Sequence, residues 1–247
     1  MGQDSRVKPA RARRVPTIES SNVMNARFFA TVAILASFLA GCSTTRGPGP
    51  LVLNDCGAIT NAFRGFHQQS FPTNWVCENG LLKSIKGAGT DLITREQFKD
   101  FELTLDWKVT RRANSGILYG VSEATTDTYW SGPEMQINDD PNHPDGKTPR
   151  FSAGSLYDLI APNDSKKLFP TGEWNHVRII SKGGHVEHWL NNAKVVEYDW
   201  DSPATRALIA KSKFATQPLF MKDRKGHIAL QHHGDEVHFR NIRITRL

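Results

Sequence analysis

Cysteine is scarce in this 247-residue chain, three in all, and no two stand at the short spacing of a metal-binding or redox pair. HExxH, a Gly-rich phosphate loop and GxSxG are all missing, so zincin, nucleotide and serine-hydrolase chemistries lack their signatures. Beyond residue 42 no apolar run is long enough to span a bilayer, and no internal repeat marks a solenoid or propeller. The basic excess is also mostly local. Residues 1–41 carry +4 of the formal +6, which leaves +2 for the rest and gives no support to a nucleic-acid partner.

What is present begins with a segment that reads as targeting rather than fold. The run from Phe28 to Ala40 is apolar and 13 residues long, too short for a transmembrane helix and suited to the core of an export signal. It ends in Leu39-Ala40-Gly41-Cys42, which resembles the bacterial lipobox, with Cys42 as the lipidated first residue of the mature chain. Residues 1–23 are polar and long for such a signal, and Met24 makes a more ordinary start. Residues 42–50 read as a lipidated Cys followed by a Gly, Pro and small-polar tether, and residues 51–247 as one domain. The expectation is an exported bacterial lipoprotein, facing the periplasm or in the outer membrane and held to the bilayer through Cys42. In that oxidising compartment Cys56 and Cys77 could form a disulfide or remain a buried thiol pair.

From Leu51 onward the pattern is β. Phe101 to Val109 alternates strictly between apolar and polar residues, the mark of a half-buried antiparallel strand. Asn79-Gly80 inside Trp75 to Ile85 signals a tight hairpin, and Asn191-Asn192 a second one. Further strands are expected at 116–121, 134–138, 155–160, 176–181, 185–190, 194–198, 226–231 and 236–247. Only Ser202-Pro203 and the residues after it read as a helix, with an N-cap serine and a proline at the first helical position. Many short strands with one helix predict two packed antiparallel sheets.

The stretch Glu134 to Asn138 places Glu134, Gln136 and Asn138 on one face of a strand and Met135 and Ile137 on the other. A polar row backed by an apolar row suits the lining of a sheet open to a polar ligand. Gln231 and His233 repeat the i, i+2 spacing near the C-terminus. Asn138 to Arg150 contains three prolines and no apolar residue, which makes it a surface loop. Its Asp139, Asp140, His143 and Asp145 are hard oxygen and nitrogen donors, and the first three are candidate ligands for a divalent metal, the one cofactor the sequence suggests.

Six short motifs come in the order and spacing of a known family: Asn114-Ser115-Gly116-Ile117, Gly132 to Ile137, Gly154 to Asp158, Gly172 to Asn175, His188 to Asn191, and Gly226 to Gly234 followed by Val237 to Ile242. Together they resemble DUF1080, the 3-keto-disaccharide hydrolase domain, over nearly all of the chain beyond Cys42. The resemblance implies a concanavalin-A-like jelly-roll β-sandwich, and cleavage of glycosidic bonds in sugars already oxidised to a ketone at C3. His232 departs from the family, which more often has Asp before His-Gly.

A ketone at C3 acidifies the proton on C2, so a base can remove it and the enolate can expel the substituent on C1. Such a site needs a base, a donor or cation for the enolate oxygen, and an acid for the leaving group. Glu134 is the candidate base, with His233 and His188 as candidate acid or donor. Asn114, Tyr119, Gln136, Tyr157, Trp189 and Gln231 are candidates for holding the oxidised sugar. Two other readings stay open. One is a retaining glycosidase, whose E-x-D-x-x-E frame is only partly filled by Glu134, Gln136 and Asp139; the other is a carbohydrate-binding module without catalysis.

Overall fold

The computed structural model of this protein describes residues 49–247. Cys42 and the expected export signal lie outside the described residues. Among the described residues, the chain forms β1 (Leu51–Leu53), α1 (Cys56–Ala62), β2 (Phe63–Gly65), β3 (Trp75–Glu78), β4 (Leu81–Ser84), β5 (Leu92–Thr94), β6 (Phe101–Val109) and β7 (Asn114–Val121). It continues through β8 (Glu134–Asn138), β9 (Asn175–Lys182), β10 (His185–Leu190), β11 (Ala193–Asp199), α2 (Pro203–Ile209), β12 (His227–Leu230) and β13 (Val237–Arg246).

These strands make the two packed antiparallel sheets that the strand pattern predicts, in the all-β jelly-roll sandwich that the family resemblance implies. The larger runs β11, β10, β9, β6, β13, β4, β3, with β1 also on β13; the smaller runs β2, β5, β12, β7, β8. Strands far apart in sequence are neighbours in both, so each sheet is closed only when the C-terminal strands arrive. β6 pairs with β9 on one side and β13 on the other. Its alternation follows from this central place: Phe101, Leu103, Leu105, Trp107 and Val109 are buried, and the residues between them are half-buried. Leu103, Trp107, Ile117, Met135, Ile179 and Phe239 join the core cluster between the sheets. Each such side chain contributes roughly 1.5–3 kcal/mol by leaving water.

The hairpin turns rest on left-handed residues. Asn79 and Gly80 have φ of 52° and 76°, and Asn191 and Asn192 have 48° and 66°. At Gly80 the requirement is also steric, since a Cβ there would lie 2.2 Å from the Asn54 carbonyl oxygen. In α2, the Ser202 hydroxyl accepts the Thr205 N–H at 3.1 Å, the cap its sequence predicts.

The structure adds three short strands that the sequence reading does not expect, β1, β2 and β5, and corrects it at two further elements. A second helix, α1, stands where none is expected; Asp55 caps it by accepting the Ala58 N–H at 2.8 Å. A Cys56–Cys77 disulfide ties α1 to β3. Residues 155–160 are not a strand. Ser155 and Tyr157 do bond to the free edge of β8, through Gln136 N–H to the Ser155 carbonyl (3.2 Å) and Tyr157 N–H to the Glu134 carbonyl (3.0 Å). The chain then turns back at Asp158, whose φ is 61°, so that Leu156 and Ile160 pair with each other.

Candidate active site

The pairing of β7 with β8 sets the site. Gly116 lies opposite Gln136, and Leu118 opposite Glu134, so these residues share one face of the smaller sheet; Ile117 and Met135 share the other. The second face packs into the core between the sheets. The first face points away from it and carries a small apolar cluster of Ile93, Leu118, Ala229 and Phe66 against Tyr129. Beside that cluster the face opens into a cavity of about 290 Å³. Glu134, Gln136, Asn114 and Gln231 line it from the sheet, with His233 just after β12. Tyr129, Trp130, Tyr157 and Lys213 line it from the connecting segments.

Glu134 is 5% exposed, and its side chain runs across the neighbouring strand at Gly116. A Cβ on residue 116 would fall 1.9 Å from Glu134 Oε1, so only glycine leaves the carboxyl its place. The Gln136 amide, turned so that its nitrogen meets acceptors, donates to Glu134 Oε1 at 2.9 Å and to the Ser115 carbonyl at 3.1 Å. Asn114 lies 3.2 Å from the same amide and donates to Asp145 Oδ2 at 3.3 Å. Burial is the largest influence on the Glu134 carboxyl and pushes its pKa up to about 8, with Lys213 opposing and Asp91 and Asp145 adding to the rise. A carboxyl held in this way accepts a proton readily at neutral pH.

Lys213 is the cation of the site. Its ammonium sits 4.4 Å from the Tyr157 ring centre and 5.2 Å from that of Tyr129. Its backbone N–H donates to Asp158 Oδ2 at 2.9 Å, and Asp158 in turn meets Arg150 at 3.1 Å. Tyr157 stacks on Phe151 with centres 5.1 Å apart, and burial raises its phenol to about 12, which keeps it a hydrogen-bond donor.

The cavity therefore brings together Glu134, Gln136, Asn114, Tyr157, Gln231 and His233 of the residues that the sequence singles out. Tyr119, His188 and Trp189 are not brought there. His188 faces the core from β10 and is fully buried; its Nε2 meets the Tyr119 hydroxyl at 2.7 Å, and that hydroxyl meets Tyr198 at 2.8 Å. Burial lowers the His188 pKa to about 4, so it is neutral and serves to satisfy polar groups inside the core. Trp189 points the other way, out of the larger sheet. There its indole N–H donates to Glu187 at 2.7 Å, and Arg178 lies 4.4 Å over its ring.

The candidate metal ligands are likewise spoken for. Asp139 accepts from the Arg112 N–H (2.6 Å), Thr171 (2.5 Å) and Asn142 (3.2 Å). Asp140 accepts from Lys166 (2.6 Å), Asn138 (3.0 Å) and the Ala153 N–H (2.9 Å). His143 Nδ1 accepts from the Asp145 N–H at 3.2 Å. The three pin the loop to its surroundings with separate partners and do not converge on one point. Among the described residues, the carboxylate and imidazole group close enough to share an ion is His185, Glu187 and Glu197, at the exposed side of β10 and β11.

Lys213, Tyr129 and Trp130 are the site residues that the sequence reading misses. Tyr129-Trp130 offered a weak sign, an aromatic pair next to Ser131-Gly132 in an otherwise polar stretch. Lys213, one of several lysines after α2, offered none.

Residues 50–245 match the family described as the 3-keto-alpha-glucoside-1,2-lyase-like domain. The chain is 36% identical over 224 residues to a 3-keto-disaccharide hydrolase of Bacteroides thetaiotaomicron, covering 77% of this chain and 76% of that protein. A crystal structure from Parabacteroides distasonis, described as a candidate glycosyl hydrolase, is 28% identical and superposes with a TM-score of 0.72 over 81% of this chain and 94% of its own. Another from the same organism, described in the same way, is 29% identical with a TM-score of 0.60, over 76% and 100%. The cavity thus sits in a recognised carbohydrate-active scaffold: this chain belongs to the 3-keto-alpha-glucoside-1,2-lyase-like domain family.

Proposed function

We propose that this protein cleaves the glycosidic bond of sugars oxidised to a ketone at C3, by elimination followed by hydration. The observation that carries the reading is the Glu134 carboxyl, buried on the cavity floor and raised to about 8. A base of that strength is matched to a carbon acid beside a ketone, whereas an ordinary solvent-facing Glu is too weak.

In the elimination, Glu134 takes the proton from C2 and the electron pair moves onto the C3 oxygen as an enolate. Lys213 and the Tyr157 hydroxyl, which line the same cavity, stabilise that oxygen, the first by charge and the second by donation. The enolate then re-forms the ketone and expels the substituent on C1, whose oxygen takes a proton from His233. Water adds to C1 of the enone and gives one proton back to His233, while Glu134 returns its proton to C2. Gln136 orients the carboxyl throughout, and Asn114 and Gln231 offer amide groups to ring hydroxyls.

The retaining-glycosidase frame finds no second carboxylate here. Gln136 occupies its middle position, and Asp139 is bound to Arg112, Thr171 and Asn142 outside the cavity lining. A pure binding module would not need a buried, raised carboxyl over an obligatory glycine. The test is to offer the purified domain a 3-keto-glycoside and the matching unoxidised sugar. Release from the keto sugar alone supports the proposal; release from both points to an ordinary glycosidase, and from neither to a binding module.

The lipobox-like Leu39 to Cys42 supports export and anchoring through Cys42. A Cys42→Ala variant should leave the membrane fraction, and its retention there would argue against the anchor.

A further inference from the structure

A second cavity of about 270 Å³ adjoins the first and shares Tyr129, Gln231 and His233 with it. Its remaining walls include Phe66, His67, Asp91, Asp127, Thr128 and His232. We propose that this cavity is the subsite for the leaving half of the substrate and that it takes a neutral polyhydroxylated group, such as a second sugar ring. The inference rests on the reading under Proposed function, because it places that reaction's leaving group.

Three features support the assignment. The first is arrangement: two cavities of similar size meet at His233, the residue placed to protonate the departing oxygen. Each falls near or below the lower end of the range for small-ligand sites, roughly 300–1,000 Å³, which suits one ring in each rather than an extended chain in either.

The second is charge. The lining holds two carboxyl groups, Asp91 and Asp127, and no Lys or Arg. Asp91 accepts the His232 N–H at 2.7 Å and the Thr128 hydroxyl at 2.5 Å, so it is fixed in place. Asp127 accepts from Thr126 through Oδ2 at 2.8 Å, and its other oxygen has no donor among the described residues. Carboxylates with no Lys or Arg beside them select hydroxyl donors and disfavour phosphorylated or acidic leaving groups. Gln231 Oε1, in the shared wall, is also buried without a hydrogen-bond partner among the described residues, an acceptor left over for a ligand hydroxyl.

The third is rigidity. Arg64 and Glu123 form a two-pronged ion pair at 2.7 Å on each arm, and Glu123 also accepts the His67 N–H at 2.9 Å. His67 is thereby held in the left-handed region, at φ 57°, with its ring 4.1 Å from Phe66 and its Nε2 2.8 Å from the Thr125 carbonyl. A rim tied down in this way loses little freedom when a ligand enters.

The experiment compares a 3-keto-disaccharide with the methyl 3-keto-glucoside, whose one-carbon leaving group cannot fill the second cavity. Two variants are measured: Asp127→Ala, which removes the free carboxylate oxygen, and Thr126→Phe, which narrows the cavity from its exposed rim. The quantity read is the ratio of kcat/KM for the disaccharide to kcat/KM for the methyl glycoside. The proposal expects each variant to lower that ratio about tenfold, and residual cleavage of the methyl glycoside certifies the fold. An unchanged ratio overturns the subsite while leaving the reaction intact. Cleavage of neither substrate by the unaltered protein overturns the parent reading, and the subsite falls with it.

Discussion

Replacing Glu134 by Gln keeps the shape of the side chain and removes its charge, so it probes chemistry and stability together. The carboxyl moves from an ordinary value of 4.5 to about 8 on folding. Each unit corresponds to about 1.36 kcal/mol, so ionising this group inside the fold costs up to about 5 kcal/mol. The sign follows from proton linkage. Below about pH 4.5 the group is neutral in both states and the fold carries no penalty. Between 4.5 and 8 the unfolded chain has released a proton that the folded one retains, so the unaltered protein loses stability as pH rises; above 8 the loss levels off. The amide in the variant never ionises. Denaturant unfolding at pH 4.5, 7 and 9 should therefore show Glu134→Gln close to the unaltered protein at the lowest pH and more stable by a few kcal/mol at the highest. In the same preparations kcat on a 3-keto-glycoside should fall about 100- to 10,000-fold, the usual share of a positioned base. A stability difference that does not change with pH, or turnover that survives the substitution, would refute the placement of a raised carboxyl at the reacting carbon.

The same carboxyl sets one limb of the pH dependence of catalysis: with a substrate whose leaving group departs without a proton from His233, kcat/KM should rise with pH up to about 8 and then flatten, because the base works only when ionised, and a profile falling through that range would make it an acid instead. Lys213→Met removes the cation beside the two tyrosines and should lower kcat about 100-fold with a smaller change in KM, since the charge it meets develops only during the reaction. Gly116→Ala puts a methyl where Glu134 Oε1 lies, 1.9 Å away, so it should suppress turnover while circular dichroism shows the sheets intact; full activity would mean that the carboxyl has another resting place. Breaking the Cys56–Cys77 link with a double Ser variant should cost about 3 kcal/mol of unfolding free energy, given its separation of 21 residues, and leave kcat near its normal value.

How far the sequence foretold these features depends on whether the physics behind each is local. β6 and β8 match their expected bounds because alternation of side chains is a property of the strand itself, and the two hairpins because Asn and Gly adopt left-handed φ at low cost. The Glu134 and Gln136 face was legible for the same reason. Parity along a strand does not reveal which sheet the strand joins, and there the candidates divided. His188 and Trp189 alternate as expected on β10, yet β10 lies in the larger sheet, with one residue in the core and the other on its outer side. Tyr119 likewise reaches His188 through the core. α1 escaped notice because it is seven residues long and buries one of them, Ile59, so no helical stripe was there to read. Lys213, Tyr129 and Trp130 come from connecting segments that meet Glu134 only after the sheets have closed. The acidic loop invited a metal because its composition was visible, while the donors that occupy its carboxylates, Arg112, Thr171 and Lys166, arrive from elsewhere.

The central claim is that a carboxylate removes the hydrogen on C2 of a keto sugar. It is tested most directly by cleaving a 3-keto-glycoside deuterated at that carbon and comparing its rate with that of the unlabelled sugar. The account predicts slower cleavage of the deuterated sugar and no cleavage of the unoxidised glycoside. Equal rates for the labelled and unlabelled sugars, or release of the unoxidised sugar at a similar rate, would contradict it.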